Sequence, residues 1–187
     1  MSLLTCQQWS YDFPVSLRYA ALGLLAQHPG SGYDLLRRFE KTMANVWPAT
    51  QSQLYGELNK LAAAGLIEVA DTGPRGRKVY RTTDSGRDEL LRWLISPQDD
   101  PPYRSPGQLR TFLLGELPRA GAAGHVQALA DHARAEIDRL ETLRAQLHWD
   151  DSDESFYGYA ALEHGLRYHA MQAEWAEWLV KAINERS

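Results

Sequence analysis

Seven side chains within one short stretch of the chain can form hydrogen bonds or ion pairs with a nucleic acid. Two carry amides, which pair with the edges of bases, and five carry a phenol, ammonium or guanidinium group, which suits phosphates. They are Gln53, Tyr55, Asn59, Lys60, Arg75, Arg77 and Lys78. Every soluble helix has a polar outer face and basic turns are common in hairpins, so their meaning depends on the elements that carry them.

A helix is predicted to carry the first four of these side chains. Thr50 and Gln53 have the spacing of a capping box, in which each side chain satisfies an unpaired backbone N–H. Leucines follow at helical intervals, and Gly65 stands where a left-handed cap would end the helix. With Leu54 turned to the core, the outward face of this helix begins with Thr50 and Gln51 and continues through small or polar residues. They are Ser52, Gly56, Asn59 and Ala63, with Gln53 and Lys60 on one flank and Tyr55 on the other.

A β-hairpin is predicted to carry the remaining basic residues. Two short alternating runs, Leu66–Ala70 and Lys78–Thr83, flank a turn that contains Gly73, Pro74 and Gly76. The two glycines permit a tight turn and a close approach to another molecule. Helix and basic hairpin in this order are typical of a winged helix-turn-helix, in which small residues let the helix enter a major groove. We therefore predict that double-stranded DNA is the partner.

Composition and charge agree with an ordinary globular protein. The chain has 187 residues and a net charge of −4, and the excess acid lies entirely after residue 100. The single cysteine, Cys6, excludes an intrachain disulfide and suits a reducing compartment. The longest apolar run, Ala20–Ala26, is far too short for a bilayer, and we find no secretory signal. The sequence predicts a cytoplasmic protein without a membrane partner.

The chain is predicted to be mainly α with a small β-hairpin wing, and to have two domains. A winged helix-turn-helix domain covers residues 1–96, and the first 15 residues form an arm without clear periodicity. The prolines and acids of 97–104 form a linker, and 105–187 form a helical domain that dimerises.

The last predicted helix, about Ser155–Glu185, is apolar on two faces. One stripe includes Leu162, Leu166 and Ala176 and suits packing against the preceding long helix. On nearly the opposite side lie Tyr168, Met171, Trp175 and Trp178. A second copy of the chain is the simplest cover for that face, so we predict a homodimer through these four residues. The alternative is that the helix beginning at Ser105 covers them within one chain.

Six short motifs occur in a fixed order between Leu17 and Leu94, and together they resemble the PadR family of winged-helix transcriptional regulators. The motifs are Gly32-Tyr33-x-Leu35, Gln53-Leu54-Tyr55-x-x-Leu58-x-x-Leu61, Gly65-Leu66-Ile67, Gly76-Arg77-Lys78-Val79-Tyr80, Thr83-x-x-Gly86 and Trp93-Leu94. The C-terminal half is similar to the virulence-activator subgroup, in which a helical domain dimerises.

The resemblance implies that the Thr50–Ala64 helix reads DNA, that the hairpin supports it and that Tyr55 contacts the backbone. It implies DNA contacts for the seven side chains of Gln53, Tyr55, Asn59, Lys60, Arg75, Arg77 and Lys78. We therefore expect a homodimeric regulator, a repressor, acting on a partly palindromic operator. A small-molecule effector is a further partner, and the aromatic residues Trp149, Phe156, Tyr157 and Tyr159 could line its pocket.

No residue pattern indicates catalysis, a metal or a cofactor. His125 and His132 share a helix face without a third ligand, and His169 falls on an apolar stripe. The segment from Asp151 to Leu162 lacks the glycine and the glutamate of a calcium loop. We expect no enzyme activity. The alternative function is a protein-interaction module that uses a winged helix as a scaffold and does not bind DNA.

Overall fold

A computed structural model describes residues 14–43, 47–96 and 105–186, and the chain divides into two compact units, 1–100 and 101–187. The predicted N-terminal arm lies outside the described residues apart from its last two positions, and the predicted linker 97–104 lies outside them entirely. The helices and strands of the described part are α1 (Pro14–Gln27), β1 (Gly30–Ser31), α2 (Gly32–Thr42), α3 (Gln51–Ala63), β2 (Ile67–Thr72), β3 (Lys78–Thr82), α4 (Asp84–Ile95), α5 (Pro106–Leu113), α6 (Arg119–Gln146) and α7 (Asp153–Glu185). The predicted mainly α fold with a small β wing is confirmed.

One apolar core holds the first unit together. Helices α1, α2 and α3 each turn a stripe of leucines inward because their apolar residues recur at helical spacing. The fully buried side chains of this core include Leu22, Leu25, Leu35, Phe39, Leu54, Leu58 and Leu61. Because the leucines of α3 are buried in this core, the opposite side of the helix faces outward.

The sheet of the first unit has three antiparallel strands in the order β1-β3-β2. The predicted hairpin is β2 and β3, paired from Ile67 with Thr82 to Thr72 with Lys78, with a bulge between Val69 and Asp71. Strand β1 was not predicted, because two residues are too few to show alternation. It places Ser31 beside Val79 of β3 and so ties the start of α2 to the wing.

Two glycines adopt the left-handed backbone conformation that the turns require. Gly65 has φ of 70°, and Leu66 N–H beyond it donates to Leu61 O at 3.0 Å, which ends α3 as predicted. Gly76 has φ of 75° at the tip of the hairpin, where it is the last residue of a short 3₁₀ turn, Pro74–Gly76. A side chain at either position would strain the backbone.

The second unit is built on the antiparallel pair α6 and α7. Near one end Val126 and Ala130 pack with Ala176, and near the other Leu140 packs with Leu162 and Leu166. Ion pairs also join the two helices, between Arg134 and Glu177 at 2.6 Å and between Arg144 and Glu163 at 3.2 Å. None of the described helices combines the length and the hydropathy that crossing a bilayer requires.

Candidate DNA-binding surface

The start of α3 is fixed by the capping box that the sequence predicts. Gln53 N–H donates to Thr50 Oγ1 at 3.3 Å, and Thr50 N–H donates to Gln53 Oε1 at 2.8 Å. The amide oxygen of Gln53 is therefore engaged by the helix itself. Its amide N–H groups are the part of this side chain that can bind an acceptor on a partner.

The outward face of α3 contains every residue that the sequence places there. Gly56 is half-buried, and the other eight residues are exposed: Thr50, Gln51, Ser52, Gln53, Tyr55, Asn59, Lys60 and Ala63. A Cβ built on Gly56 meets nothing within 4 Å, so no internal contact requires glycine at this position. Small side chains on this face leave room for close approach by another surface, as docking of a helix in a major groove demands.

One side chain of α3 that the sequence reasoning missed is Glu57. Its carboxylate is buried, with only 7% of the side chain exposed, and Lys60 Nζ lies 2.7 Å from Glu57 Oε1. The i, i+3 spacing of the two residues was the available signal. Lys60 thus both neutralises a buried acid and presents an exposed ammonium group on the predicted DNA face.

The wing presents Arg77 and Lys78 on the outside of the hairpin. The tip is closed by a hydrogen bond from Gly73 N–H to Arg77 O at 2.7 Å. Arg77 and Lys78 are both exposed, whereas the side chain of Arg75 lies outside the described part of the structure. Arg81 is paired with Glu68 across β2 and β3 at 2.7 Å. Arg77 and Lys78 are therefore the described basic side chains at the tip end of the hairpin.

Both α3 and the wing contact the first turn of α2. Arg77 Nη2 lies 3.2 Å from Asp34 Oδ2, and the ring of Tyr55 lies against Gly32. The sequence predicts Arg77 and Tyr55 as DNA contacts but does not reveal these two neighbours. The structure brings α3, α2 and the wing into one continuous surface of the first unit.

The predicted dimer face of α7 is exposed at three of its four positions. Tyr168, Met171 and Trp178 are exposed, Trp178 by 62%. Trp175 is half-buried and packs against the cluster of Val126 and Ala176. Its large indole reaches the edge of the α6–α7 seam, which a helical wheel of positions does not show.

Helix α5 does not cover the exposed face of α7. The apolar side chains of α5 are themselves exposed, with Leu109 at 63%, Phe112 at 89% and Leu113 at 58%. The predicted alternative, in which α5 buries Tyr168 and Trp178 within one chain, is wrong for the described residues. The described residues of the second unit therefore leave two of its apolar surfaces uncovered.

The aromatic residues that the sequence offers for an effector pocket lie in the second unit, around the start of α7. Trp149 packs beside Leu140, donates its indole N–H to Arg144 O at 3.0 Å and meets Tyr159 edge to face. Phe156 and Tyr157 are exposed. An open cavity of about 570 Å³ lies in the first unit, between α1 and α4. Its lining includes Tyr19, whose ring stacks on Trp93 with centroids 4.4 Å apart.

Polar groups converge on this cavity. Tyr19 O–H donates to Glu89 Oε1 at 2.9 Å, and Arg92 Nη2 lies 2.7 Å from Glu89 Oε2. Burial, together with the hydrogen bond to the Glu89 carboxylate, raises the pKa of Tyr19. The edge of a stacked aromatic pair, bordered by a guanidinium group and a carboxylate, is suited to a small aromatic molecule with a polar substituent.

The chain matches two family models and is similar to proteins of known structure. The model described as "Transcriptional regulator PadR-like family" matches residues 21–92, and "Virulence activator alpha C-term" matches 103–184. The negative transcriptional regulator PadR of Bacillus subtilis is 31% identical over 178 residues, which cover 90% of this chain and 98% of that relative.

Two crystal structures of Bacillus subtilis PadR share the fold along nearly the whole length. The complex with operator DNA has a TM-score of 0.77 at 30% identity, covering 89% of this chain and 98% of that one. The complex with p-coumaric acid has a TM-score of 0.79 at 30% identity, covering 90% of this chain and 99% of that one.

Proposed function

This chain belongs to the PadR-like family of transcriptional regulators, as its motifs predict, and we propose that it binds duplex DNA through α3 and the β2–β3 wing. The observation that carries the proposal is the exposed face of α3, where small and amide side chains stand beside Tyr55 and Lys60. Ser52, Gly56 and Asn59 face the bases in the major groove. Tyr55, Lys60, Arg77 and Lys78 bind phosphates, which position the protein without reading sequence.

In a two-fold symmetric dimer, two copies of this surface face the same DNA duplex. Two copies of α3 related by a two-fold axis enter major grooves about 34 Å apart, or a multiple of that distance. The operator is then partly palindromic. The exposed face of α7 around Tyr168 and Trp178 supports the dimer, and the uncovered apolar surface of α5 is available to it.

We propose that DNA binding by this protein represses transcription. The protein acts on the chromosome in the cytoplasm and catalyses no reaction. The relative from Bacillus subtilis is named a negative transcriptional regulator, and its structure is solved with operator DNA. A bound dimer excludes other proteins from the operator and its surroundings, so repression needs no activity beyond binding.

Gel shifts on genomic fragments at two salt concentrations test DNA binding. We expect a specific complex whose affinity falls steeply between about 50 and 200 mM salt, because phosphate contacts release counterions. The double variant Arg77→Ala, Lys78→Ala should bind more weakly and with a shallower salt dependence. Lys41→Ala, at the end of α2, is the matched control. The alternative function, a protein-interaction module, predicts no specific fragment at either salt concentration.

We further propose that an aromatic acid is the effector and that it binds in the cavity beside Tyr19 and Trp93. The support is the lining of the cavity and the complex of the Bacillus subtilis relative with p-coumaric acid. The carboxylate would pair with Arg92 and the ring would lie on the exposed edge of the stacked aromatic pair. Effector binding then weakens the complex with the operator.

Calorimetric titration with p-coumaric acid tests the effector site. We expect binding to the wild-type protein, loss of operator affinity in its presence and at least tenfold weaker acid binding by Tyr19→Ala. Tyr157→Ala, in the second unit, is the control and should bind the acid normally. If Tyr157→Ala loses the acid and Tyr19→Ala retains it, the effector site lies in the second unit instead.

A further inference from the structure

The first turn of α2, Ser31–Asp34, is held rigidly by a capping box. Asp34 Oδ2 accepts hydrogen bonds from Ser31 N–H at 2.9 Å and from Ser31 Oγ at 2.7 Å. Asp34 N–H donates back to Ser31 Oγ at 3.3 Å. Ser31 is buried and paired with Val79 of β3, so the turn is anchored in the sheet as well. We call these four residues the Ser31–Asp34 turn.

Gly32 of this turn provides the surface on which Tyr55 of α3 lies. A Cβ built on Gly32 would be 2.5 Å from Tyr55 Cε1, 3.0 Å from Cζ and 3.2 Å from Oη. Real Cβ atoms do not approach other atoms so closely, so the ring must lie elsewhere if residue 32 has a side chain. The orientation of the Tyr55 phenol therefore depends on glycine at position 32.

Asp34 of the same turn holds the side chain of Arg77 in the wing. The ion pair joins one guanidinium nitrogen, Nη2, to Asp34 Oδ2 at 3.2 Å, and the Arg77 side chain remains 58% exposed. A guanidinium group has five N–H donors, so most of them stay available to a phosphate. The hydrogen bonds from Ser31, followed by the charges of Arg77 and Arg38, lower the pKa of Asp34 and keep it ionised near neutral pH.

We propose that the Ser31–Asp34 turn is a positioning element that orients Tyr55 and Arg77, from two other elements of the fold, for binding to the DNA phosphates. The proposal rests on the proposed function of these two residues. A long side chain loses rotamer freedom when it binds, and an arginine already held in place loses less. Neither Gly32 nor Asp34 needs to touch DNA for this effect.

The negative charge of Asp34 weakens DNA binding, whereas its positioning role strengthens it. The two effects must be measured separately. A carboxylate near DNA repels phosphates, so its removal alone would strengthen binding to every sequence. Asp34→Asn retains an amide oxygen for the capping box but loses the charge. The effect of Asp34→Asn on operator affinity is therefore measured twice, once with Arg77 present and once in an Arg77→Ala background. The general charge effect is the same in both backgrounds, so the difference between the two measurements reports the positioning role.

The first experiment measures operator affinity for the wild type, Asp34→Asn, Arg77→Ala and the double variant. We expect Asp34→Asn to be about threefold more harmful, or less beneficial, when Arg77 is present, as for an exposed ion pair. Asp71→Asn removes a charge from β2 and should combine additively with Arg77→Ala. Equal effects in both backgrounds, or a larger gain with Arg77 present, would overturn the role of Asp34. Melting curves establish that each variant is folded.

The second experiment tests Gly32 in the same way. Gly32→Ala should lower operator affinity as much as Tyr55→Phe does, and should have no further effect in a Tyr55→Ala background. Its melting temperature should stay near that of the wild type, because the partly exposed Tyr55 ring can swing outward. Gly23→Ala in α1, where a Cβ meets nothing within 4 Å, is the matched control. An additive loss in the Tyr55→Ala background would overturn the role of Gly32.

The two experiments separate failure of this proposal from failure of the proposed function. If Arg77→Ala and Tyr55→Ala do not weaken operator binding at all, the two residues are not DNA contacts. If both weaken it while Asp34→Asn and Gly32→Ala act independently of them, the contacts stand and the positioning role is refuted.

Discussion

Lys60 has two roles, one in the stability of the fold and one in the proposed DNA contact. Its ammonium group pairs with the buried carboxylate of Glu57 and is itself largely exposed. The sequence alone predicted Lys60 as a phosphate contact and predicted the capping box of Thr50 and Gln53, because both depend on spacing within one helix. It did not predict the pairing of Asp34 with Arg77 or the contact of Gly32 with Tyr55, because those residues meet only when distant elements pack together.

We expect Lys60→Ala to weaken binding to all DNA sequences and to lower the salt slope by about one. It should also lower the free energy of unfolding by about 1–3 kcal/mol, since Glu57 is left buried without its cation. Adding Glu57→Gln should restore the stability but not the salt slope. Denaturant unfolding and binding isotherms at several salt concentrations measure the two effects. A double variant with wild-type salt dependence would show that Lys60 does not touch phosphate.

We expect Asn59→Ala to relax the preference for one base pair in each half-site, with a loss of about 1–3 kcal/mol against the preferred base. The amide of Asn59 is exposed on the outward face of α3, where it can reach base edges. Selection of binding sites from random duplexes by both proteins provides the comparison. An unchanged sequence preference would remove Asn59 from the readout.

At the scale of elements, the wing depends on a close contact between α4 and the residue that precedes β2, Leu66. A Cβ built on Gly86 in the first turn of α4 would clash with the Leu66 carbonyl oxygen, which also accepts a hydrogen bond from Thr83 N–H. The sequence predicted the helices and the β2–β3 hairpin from periodicity and turn residues. It missed β1 because so short a strand is formed by its partner β3 and not by its own pattern.

We expect Gly86→Ala to lower the free energy of unfolding by about 1–3 kcal/mol, because backbone must move to admit the methyl group. Gly23→Ala, in open space within α1, should leave stability unchanged or raise it slightly. Urea unfolding of both variants makes the comparison. Equal stability of Gly86→Ala and the wild type would mean that the Leu66 contact relaxes without loss.

At the scale of the whole molecule, the second unit exposes more apolar surface than a monomer needs. Phe112 of α5 and Trp178 of α7 are both largely exposed, and large exposed apolar patches mark interaction sites. The sequence predicted a two-faced α7, but it could not show that α5 leaves that face uncovered or that Trp175 belongs partly to the core. Both facts depend on how the helices pack in three dimensions.

We expect the wild-type protein to sediment as a dimer of 21.1 kDa chains and the variant Tyr168→Ala, Trp178→Ala to shift toward the monomer. Truncation of two large aromatic side chains that the dimer would bury removes a major part of its interface. Leu129→Ala, an exposed apolar position on α6, is the control and should remain dimeric. A fully dimeric double variant would exclude this face from the interface.

Cleavage of operator DNA by an iron chelate attached at position 59 tests the central claim, that the outward face of α3 lies in the major groove. The variant Cys6→Ser, Asn59→Cys offers a single attachment site, because Cys6 is the only cysteine. We predict two clusters of cleavage, one in each half-site, centred about 34 Å or a multiple of it apart. Retained operator binding with no cleavage above that of the free chelate would contradict the account.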